Sequence, residues 1–240
     1  ALAKRLKYLQ STDRIVNLER GLYAAVRPGV DPHAMAPDPY LVGMALRPDG
    51  VFAYHSALTL LGAGHSDWGV VTVMSHSRRR PLVLRASRVE VLPYPAVLVR
   101  RALTDVGVRS VPYLDRNLRV TGPERALVEG FRRLDLVGGL EELVNSAAGF
   151  PSLDLGQLDS VLDAYGVHNL YAAVGWFLEI HRDHFFVPDD YLEGLEKRRP
   201  AAPQYLPRRG RAEGGGGRMV PRWNLILPEA LLDGMVDDEP

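Results

Sequence analysis

The chain contains no cysteine, which removes disulfides, thiolate metal sites and a cysteine nucleophile. Lysine is almost as scarce. Lys4, Lys7 and Lys197 are the only three, and arginine supplies the remaining basic charge. No apolar run approaches the length of a membrane span, and the N-terminus does not read as a secretory signal. A soluble, cytoplasmic protein with no membrane partner is therefore the expectation. Net charge is also missing: 29 basic residues face 29 acidic ones, so any nucleic-acid surface has to be a local patch. GxSxG, HExxH and P-loop motifs are absent. A nuclease of the PD-(D/E)xK type needs an acidic residue two before a lysine, and none of the three lysines has one. Glu196-Lys197-Arg198 offers arginine in that place.

What is present is enough for a sizeable core. With 240 residues, 46% of them apolar, the chain can form one large domain, or a small one plus a medium one. Leu2, Leu6 and Leu9 make a stripe at helical spacing and predict a helix over Leu2 to Asp13. Lys4, Lys7, Tyr8 and Ser11 fall on its opposite face, flanked by Arg5. Ile15-Val16 and Leu22 to Val26 then read as two strands around a tight turn, with Gly21 available for positive φ. The Pro-rich stretch from Asp31 to Pro39 reads as a linker.

From Tyr40 the pattern is mixed. Helices are expected over Leu41 to Leu46 and Ser56 to Leu61. Val70 to Met74 reads as a buried strand, and Val83-Leu84 and Val89 to Leu92 as further strands. Val97 to Arg109 has no clear period. Helices dominate afterwards, over Glu124 to Leu134, Leu140 to Ala147, Leu155 to Tyr165 (capped by Asp154 with Gln157 three residues on, and stopped by Gly166), Leu170 to Ile180 and Tyr191 to Lys197. Pro200 to Pro221 is a low-complexity loop with GGGG and several arginines. Trp223 to Leu227 reads as a strand, and the acidic tail Asp237, Asp238, Glu239 as frayed.

Within VTGPERALVEGF, Thr121 precedes Glu124 by three residues, the spacing of a capping box, with Pro123 suited to the first turn. That assigns Glu124 to helix initiation and leaves Arg125 for a carboxylate in the core or at a domain contact. Gly62 to Gly69 carries a GxGxxG-like spacing, but a strand follows it, so it reads as a plain loop. His181 and His184, with Glu179 and Asp183, have the spacing of metal ligands on one helix face, yet read better as a helix C-terminus. No metal and no cofactor are expected. Arg78-Arg79-Arg80 is a solvated loop, a phosphate contact or a contact with an acidic partner.

The strongest functional signal is N-terminal. A basic helix followed by a two-stranded turn carrying an arginine is how a winged helix-turn-helix ends, with the helix in the major groove and the wing on the backbone. Lys4, Arg5, Lys7, Tyr8, Ser11 and Arg20 are the DNA-contact candidates. Local charge agrees: from Ala1 to Gly29 the basic residues are Lys4, Arg5, Lys7, Arg14, Arg20 and Arg27, against Asp13 and Glu19. The chain starts at Ala in mid-pattern, so the first two helices of such a fold are expected upstream.

Five segments, AKRLKYLQSTDRIVNLERGLYAA, FAYHSALTLLG, VTGPERALVEG, GWFLE and RWNLILP, together resemble the AbiEi-type antitoxins of type IV toxin–antitoxin (abortive infection) systems and related bacterial transcriptional regulators. Their order and spacing, rather than one motif, carry the resemblance. It implies an N-terminal winged helix that represses its own operon by binding upstream inverted repeats in double-stranded DNA. It also implies a C-terminal domain that neutralises a nucleotidyltransferase-type toxin without a stable complex. Arg20, Gly21 and Tyr23 then match the wing, and His55, Ser56, Glu124 and Arg125 the signature positions of the larger domain. Ala126 and Glu129 stand where the family pattern has Thr and Asp. The expected fold is α+β: a truncated winged helix-turn-helix over residues 1–29, a linker over 30–39, and a mixed α/β antitoxin-type domain with a helical C-terminal half over 40–240. The expected function is non-enzymatic repression, and the alternative is a divergent metal-dependent nuclease or nucleotidyltransferase.

Overall fold

A computed structural model describes residues 1–206 and 216–237, with the backbone alone for 235–237. Part of the expected Arg- and Gly-rich loop, residues 207–215, and Asp238 and Glu239 of the acidic tail lie outside the described residues. The chain is mixed α and β and forms two compact units, one from residues 1–52 and 68–93, the other from 53–67 and 94–240.

The first unit opens with helix α1 (Leu2–Ser11), which buries no residue, although Leu6 and Leu9 are half-covered. Strands β1 (Ile15–Glu19) and β2 (Leu22–Ala25) follow as an antiparallel hairpin. Glu19 opposite Leu22 leaves Arg20 and Gly21 as the turn, and Gly21 takes φ 83°, which a β-carbon would strain. No helix or strand forms from Val26 to Asp38. Asp38 then accepts from the amides of Tyr40 (2.9 Å) and Leu41 (3.0 Å) and so starts helix α2 (Pro39–Leu46).

Strand β3 (Val51–Phe52) runs antiparallel to β4 (Val70–Ser75), which runs parallel to β6 (Arg88–Pro93), which pairs antiparallel with β5 (Leu82–Val83). Residues Val71 to Ser75 of β4 are all buried, as a continuous apolar run predicts for a central strand. β6 alternates, burying Val89 and Val91 and exposing Arg88. α2 closes on this sheet at Gly43, where a β-carbon would stand 3.0 Å from both Phe52 and Val73 side chains.

The second unit is mostly helical. Helix α3 (His55–Leu60) packs on α5 (Pro123–Arg132), which also touches α6 (Leu140–Ala148), α7 (Leu155–Tyr165) and α8 (His168–Ile180). Every residue from Pro123 to Phe131 is buried, so α5 is the core of the unit. The unassigned stretch around Val97 resolves into a short helix, α4 (Ala96–Arg100), followed by an unexpected hairpin of β7 (Val108–Tyr113) and β8 (Arg116–Thr121). α7 has the expected ends: Asp154 accepts from the Gln157 amide at 3.0 Å, and Gly166 terminates it at φ 61°.

Helices α9 (Arg182–Phe185) and α10 (Asp189–Glu196) lead to a small sheet in which β11 (Leu225–Pro228) lies between β9 (Gln204–Tyr205) and β10 (Gly217–Val220). Helix α11 (Glu229–Asp237) ends the described chain. The expected strand at Trp223 begins two residues later, because Pro221 to Trp223 form a 3-10 turn. Trp223 is fully buried against Gly175 of α8, where a β-carbon would fall 2.1 Å from the indole. No described helix is long and apolar enough to cross a membrane.

The expected capping box does not form. Thr121 is spent as the last residue of β8, paired with Val108, and its hydroxyl has no partner among the described residues. Gly122 takes the N-cap place without a side-chain cap, and a β-carbon there would meet the Arg109 side chain at 2.8 Å. The carboxylate of Glu124 is consequently free to bind elsewhere.

Candidate nucleic-acid interface

On α1, Lys4, Arg5, Lys7, Tyr8 and Ser11 are all exposed. Tyr8 holds 62% of its surface in solvent, high for a ring with an apolar body. Lys4, Arg5, Lys7, Arg14, Arg20 and Arg27 make no side-chain hydrogen bond or ion pair among the described residues. Ser11 Oγ donates to the Tyr8 carbonyl at 2.9 Å and Thr12 Oγ1 to the same carbonyl at 2.9 Å, which closes the helix C-terminus. α1 touches β1, and Leu6 and Leu9 are its half-covered residues, whereas Leu2 is exposed along with the charged face. Arg20 stands exposed at the hairpin turn. Tyr23, one residue into β2, is half-buried and pairs with Asn17 across the hairpin. Of the two acidic residues in this segment, Glu19 is neutralised by an ion pair with Arg79. The segment thus displays a solvated helix face and a turn, both cationic, and not tied into salt bridges among the described residues.

In the second unit the signature residues do something different. Glu124, 1% exposed, accepts from Arg109 Nη2 at 3.0 Å through both carboxylate oxygens, and from the Asp154 amide at 3.0 Å. It joins α5 to β7 and to the start of α7. Arg125 is fully buried. Its Nε donates to Glu129 Oε1 at 2.9 Å, and its Nη1 to the carbonyls of Thr104 (2.7 Å) and Val106 (2.9 Å). The Tyr165 hydroxyl donates to the same Glu129 oxygen. Burial opposes the charge on Arg125, but the Glu129 carboxylate outweighs it and raises the guanidinium pKa. Burial, reinforced by Glu129, likewise pushes the Tyr54 and Tyr165 phenols well above their usual value. Arg125 Nη2 and Glu129 Oε2 have no partner among the described residues.

His55 and Ser56 are buried at the start of α3. His55 Nε2 lies 3.2 Å from Glu142 Oε1, which also accepts from the Ser66 amide (3.1 Å) and Ser146 Oγ (2.9 Å). Burial works against ionisation of Glu142, but these hydrogen bonds prevail and hold its carboxyl below the usual range. The GWFLE and RWNLILP segments interlock. Glu179 accepts from Arg222 Nη1 at 2.5 Å and from the Trp223 indole at 2.6 Å.

Sequence reading missed Arg109, Glu129, Glu142 and Tyr165. Only Glu129 carried a local signal, four residues after Arg125 on one helix face.

The His181 and His184 pair is not brought together with other ligand-type side chains. Glu179 is engaged as above, and His184 Nε2 lies 2.9 Å from the Phe150 carbonyl. Among the described residues no three His, Asp or Glu side chains form a metal-binding group. His181 instead packs against the Phe177 ring, with centroids 4.6 Å apart and planes tilted 54°, and its half-buried imidazole has its pKa lowered, first by burial and then by His184. A histidine with a depressed folded pKa binds fewer protons folded than unfolded. Its stability contribution is present above the unfolded pKa, about 6.5, and is lost as pH falls toward the folded value. Urea midpoints measured between pH 7.5 and 5.5 should therefore fall with pH, and less steeply in His181→Gln. Equal slopes in the two proteins would remove His181 from this linkage.

Comparison with protein-family models finds no match, and comparison with curated proteins finds none. Among solved structures, the chain is similar to the RV2827C protein from Mycobacterium tuberculosis, at TM-score 0.64 and 20% identity over 98% of this chain and 83% of that one. At that identity the likeness concerns the fold, and it is consistent with a mixed α+β architecture.

Proposed function

We propose that the chain is a DNA-binding transcriptional repressor and antitoxin of a toxin–antitoxin operon. In this reading α1 is the recognition helix of a winged helix-turn-helix and the β1–β2 hairpin is its wing. One observation carries the proposal: an exposed helix face of Lys4, Arg5, Lys7, Tyr8 and Ser11, followed at once by a tight hairpin with Arg20 at its turn, none of the six in an ion pair among the described residues. Cations left uncommitted on a helix and an adjacent turn suit phosphate contact with groove reading, and no covalent chemistry is required.

Residues 1–29 are the DNA-binding part, 30–39 the linker and 40–240 the antitoxin part. The protein acts in the cytoplasm on the inverted repeats of its own promoter, and the nucleotidyltransferase-type toxin is countered without a lasting complex. The resemblance of the five sequence segments supports these assignments. The buried settings of His55, Ser56, Glu124 and Arg125 suit an architectural role for the signature.

The test is fluorescence anisotropy, at two salt concentrations, against a duplex from upstream of the protein's own gene and a scrambled duplex. A promoter preference on the order of a hundredfold or more, with both affinities weakening as salt rises, is expected of a specific repressor. Equal, weak binding to both duplexes would contradict it.

A further inference from the structure

The Arg78-Arg79-Arg80 loop joins β4 to β5 in the first unit, and the structure gives its residues two alternating roles. Ser77 Oγ accepts from Arg47 Nη2 at 2.9 Å, and Arg79 pairs with Glu19. Between and beside these inward ties, Arg78 and Arg80 are exposed and make no side-chain hydrogen bond or ion pair among the described residues. Glu19 is the last residue of β1, next to Arg20 at the hairpin turn. The Arg79–Glu19 pair therefore fastens the loop to the wing and removes the one negative charge beside Arg20. It leaves three guanidinium groups, of Arg20, Arg78 and Arg80, displayed from adjoining segments.

We infer that this loop is a second backbone-contact element of the DNA surface, in which Arg78 and Arg80 bind duplex phosphates beside those met by Arg20. The inference rests on the repressor reading above. Arginine suits the role, because its planar fork stays charged and grips phosphate oxygens in pairs. Phosphate contacts of this kind position a protein without reading bases, so they strengthen binding to any duplex. An acidic protein surface could meet the same arginines. The tie to the wing favours DNA, since it places them where the duplex backbone would already run.

The experiment is anisotropy with the full chain, on the promoter duplex and the scrambled duplex, across a salt series. Wild type is compared with Arg78→Gln/Arg80→Gln and with Arg100→Gln/Lys197→Gln, which removes two exposed cations from the other unit that make no ion pair among the described residues. Each lost phosphate contact should flatten the slope of log affinity against log salt by about 0.9, so the loop variant should lose about 1.8 and bind both duplexes roughly tenfold or more weakly near physiological salt. The control variant should keep the wild-type slope.

If wild type prefers the promoter and the loop variant keeps its full affinity and slope, the loop lies outside the DNA surface and the inference fails while the repressor reading stands. An equal loss in the control variant also overturns it, because the effect would then be overall charge. If wild type shows no promoter preference yet the loop variant alone flattens the slope, the loop contact stands and the specific-repressor reading falls. No binding of wild type to either duplex sinks both.

Discussion

Arg125→Ala should lower the unfolding free energy by about 3–5 kcal/mol, the range for breaking a buried ion pair by removing one partner. The side chain is fully buried and answers three acceptors at once: Glu129 Oε1 and the carbonyls of Thr104 and Val106. Truncation leaves a carboxylate in the core with the Tyr165 hydroxyl as its remaining hydrogen-bond donor among the described residues, and strips two backbone carbonyls of their donor. The cost is therefore chiefly one of unpaired polar groups, and only secondly of lost volume. Arg125→Met/Glu129→Leu removes the stranded charge and should be more stable than the sum of the two single changes predicts. Urea melts followed by tryptophan fluorescence would read this, since Trp176 and Trp223 are both buried in the same unit. Strict additivity would mean that the two side chains do not act as a pair.

Lys4→Gln/Lys7→Gln/Arg20→Gln should weaken promoter binding on the order of a hundredfold near physiological salt, from three phosphate-range charges. Stability should move by less than about 0.5 kcal/mol, because all three side chains are exposed and, among the described residues, unpaired. Affinity lost with the melting curve unchanged is the signature of a surface used for binding. Tyr8→Ala adds a separate test. If Tyr8 meets base edges or sugars, its loss should reduce the preference for promoter over scrambled duplex more than it reduces scrambled binding. A triple variant that binds as tightly as wild type would show that α1 and the hairpin turn do not carry the interaction.

Most elements were legible in the sequence wherever one local rule governed them. The leucine stripe gave α1, Gly21 the hairpin turn, and Asp154 with Gly166 both ends of α7. The β7–β8 hairpin was not legible, because Val108 to Thr121 carries charged residues at irregular spacing and its turn depends on Leu114 at φ 52°, an unusual residue for that conformation. The capping box failed for a related reason. A four-residue pattern cannot show that Thr121 is already needed as the end of a strand, and once it is, Glu124 goes to Arg109 and the Asp154 amide instead.

The candidate site divides in the same way. The exposed cations of α1 can be read from helical period alone, because being turned to solvent requires no partner. The ties that give the other residues their roles link positions far apart in sequence. Arg79 meets Glu19 across sixty residues, and His55 meets Glu142 across eighty-seven. Nothing local to either partner announces such a pair. Glu129 shows the intermediate case: it stands where the resembled family has Asp, and its spacing from Arg125 was visible, but its burial was not.

As the proposed repressor, the chain would be placed on a defined DNA sequence by α1 and its hairpin. Hydroxyl-radical footprinting of the region upstream of the gene tests that most directly. Two protected half-sites in inverted orientation, lost when Lys4, Lys7 and Arg20 are replaced by Gln, are the expected result. Unprotected DNA, or uniform protection that follows no sequence, would contradict it.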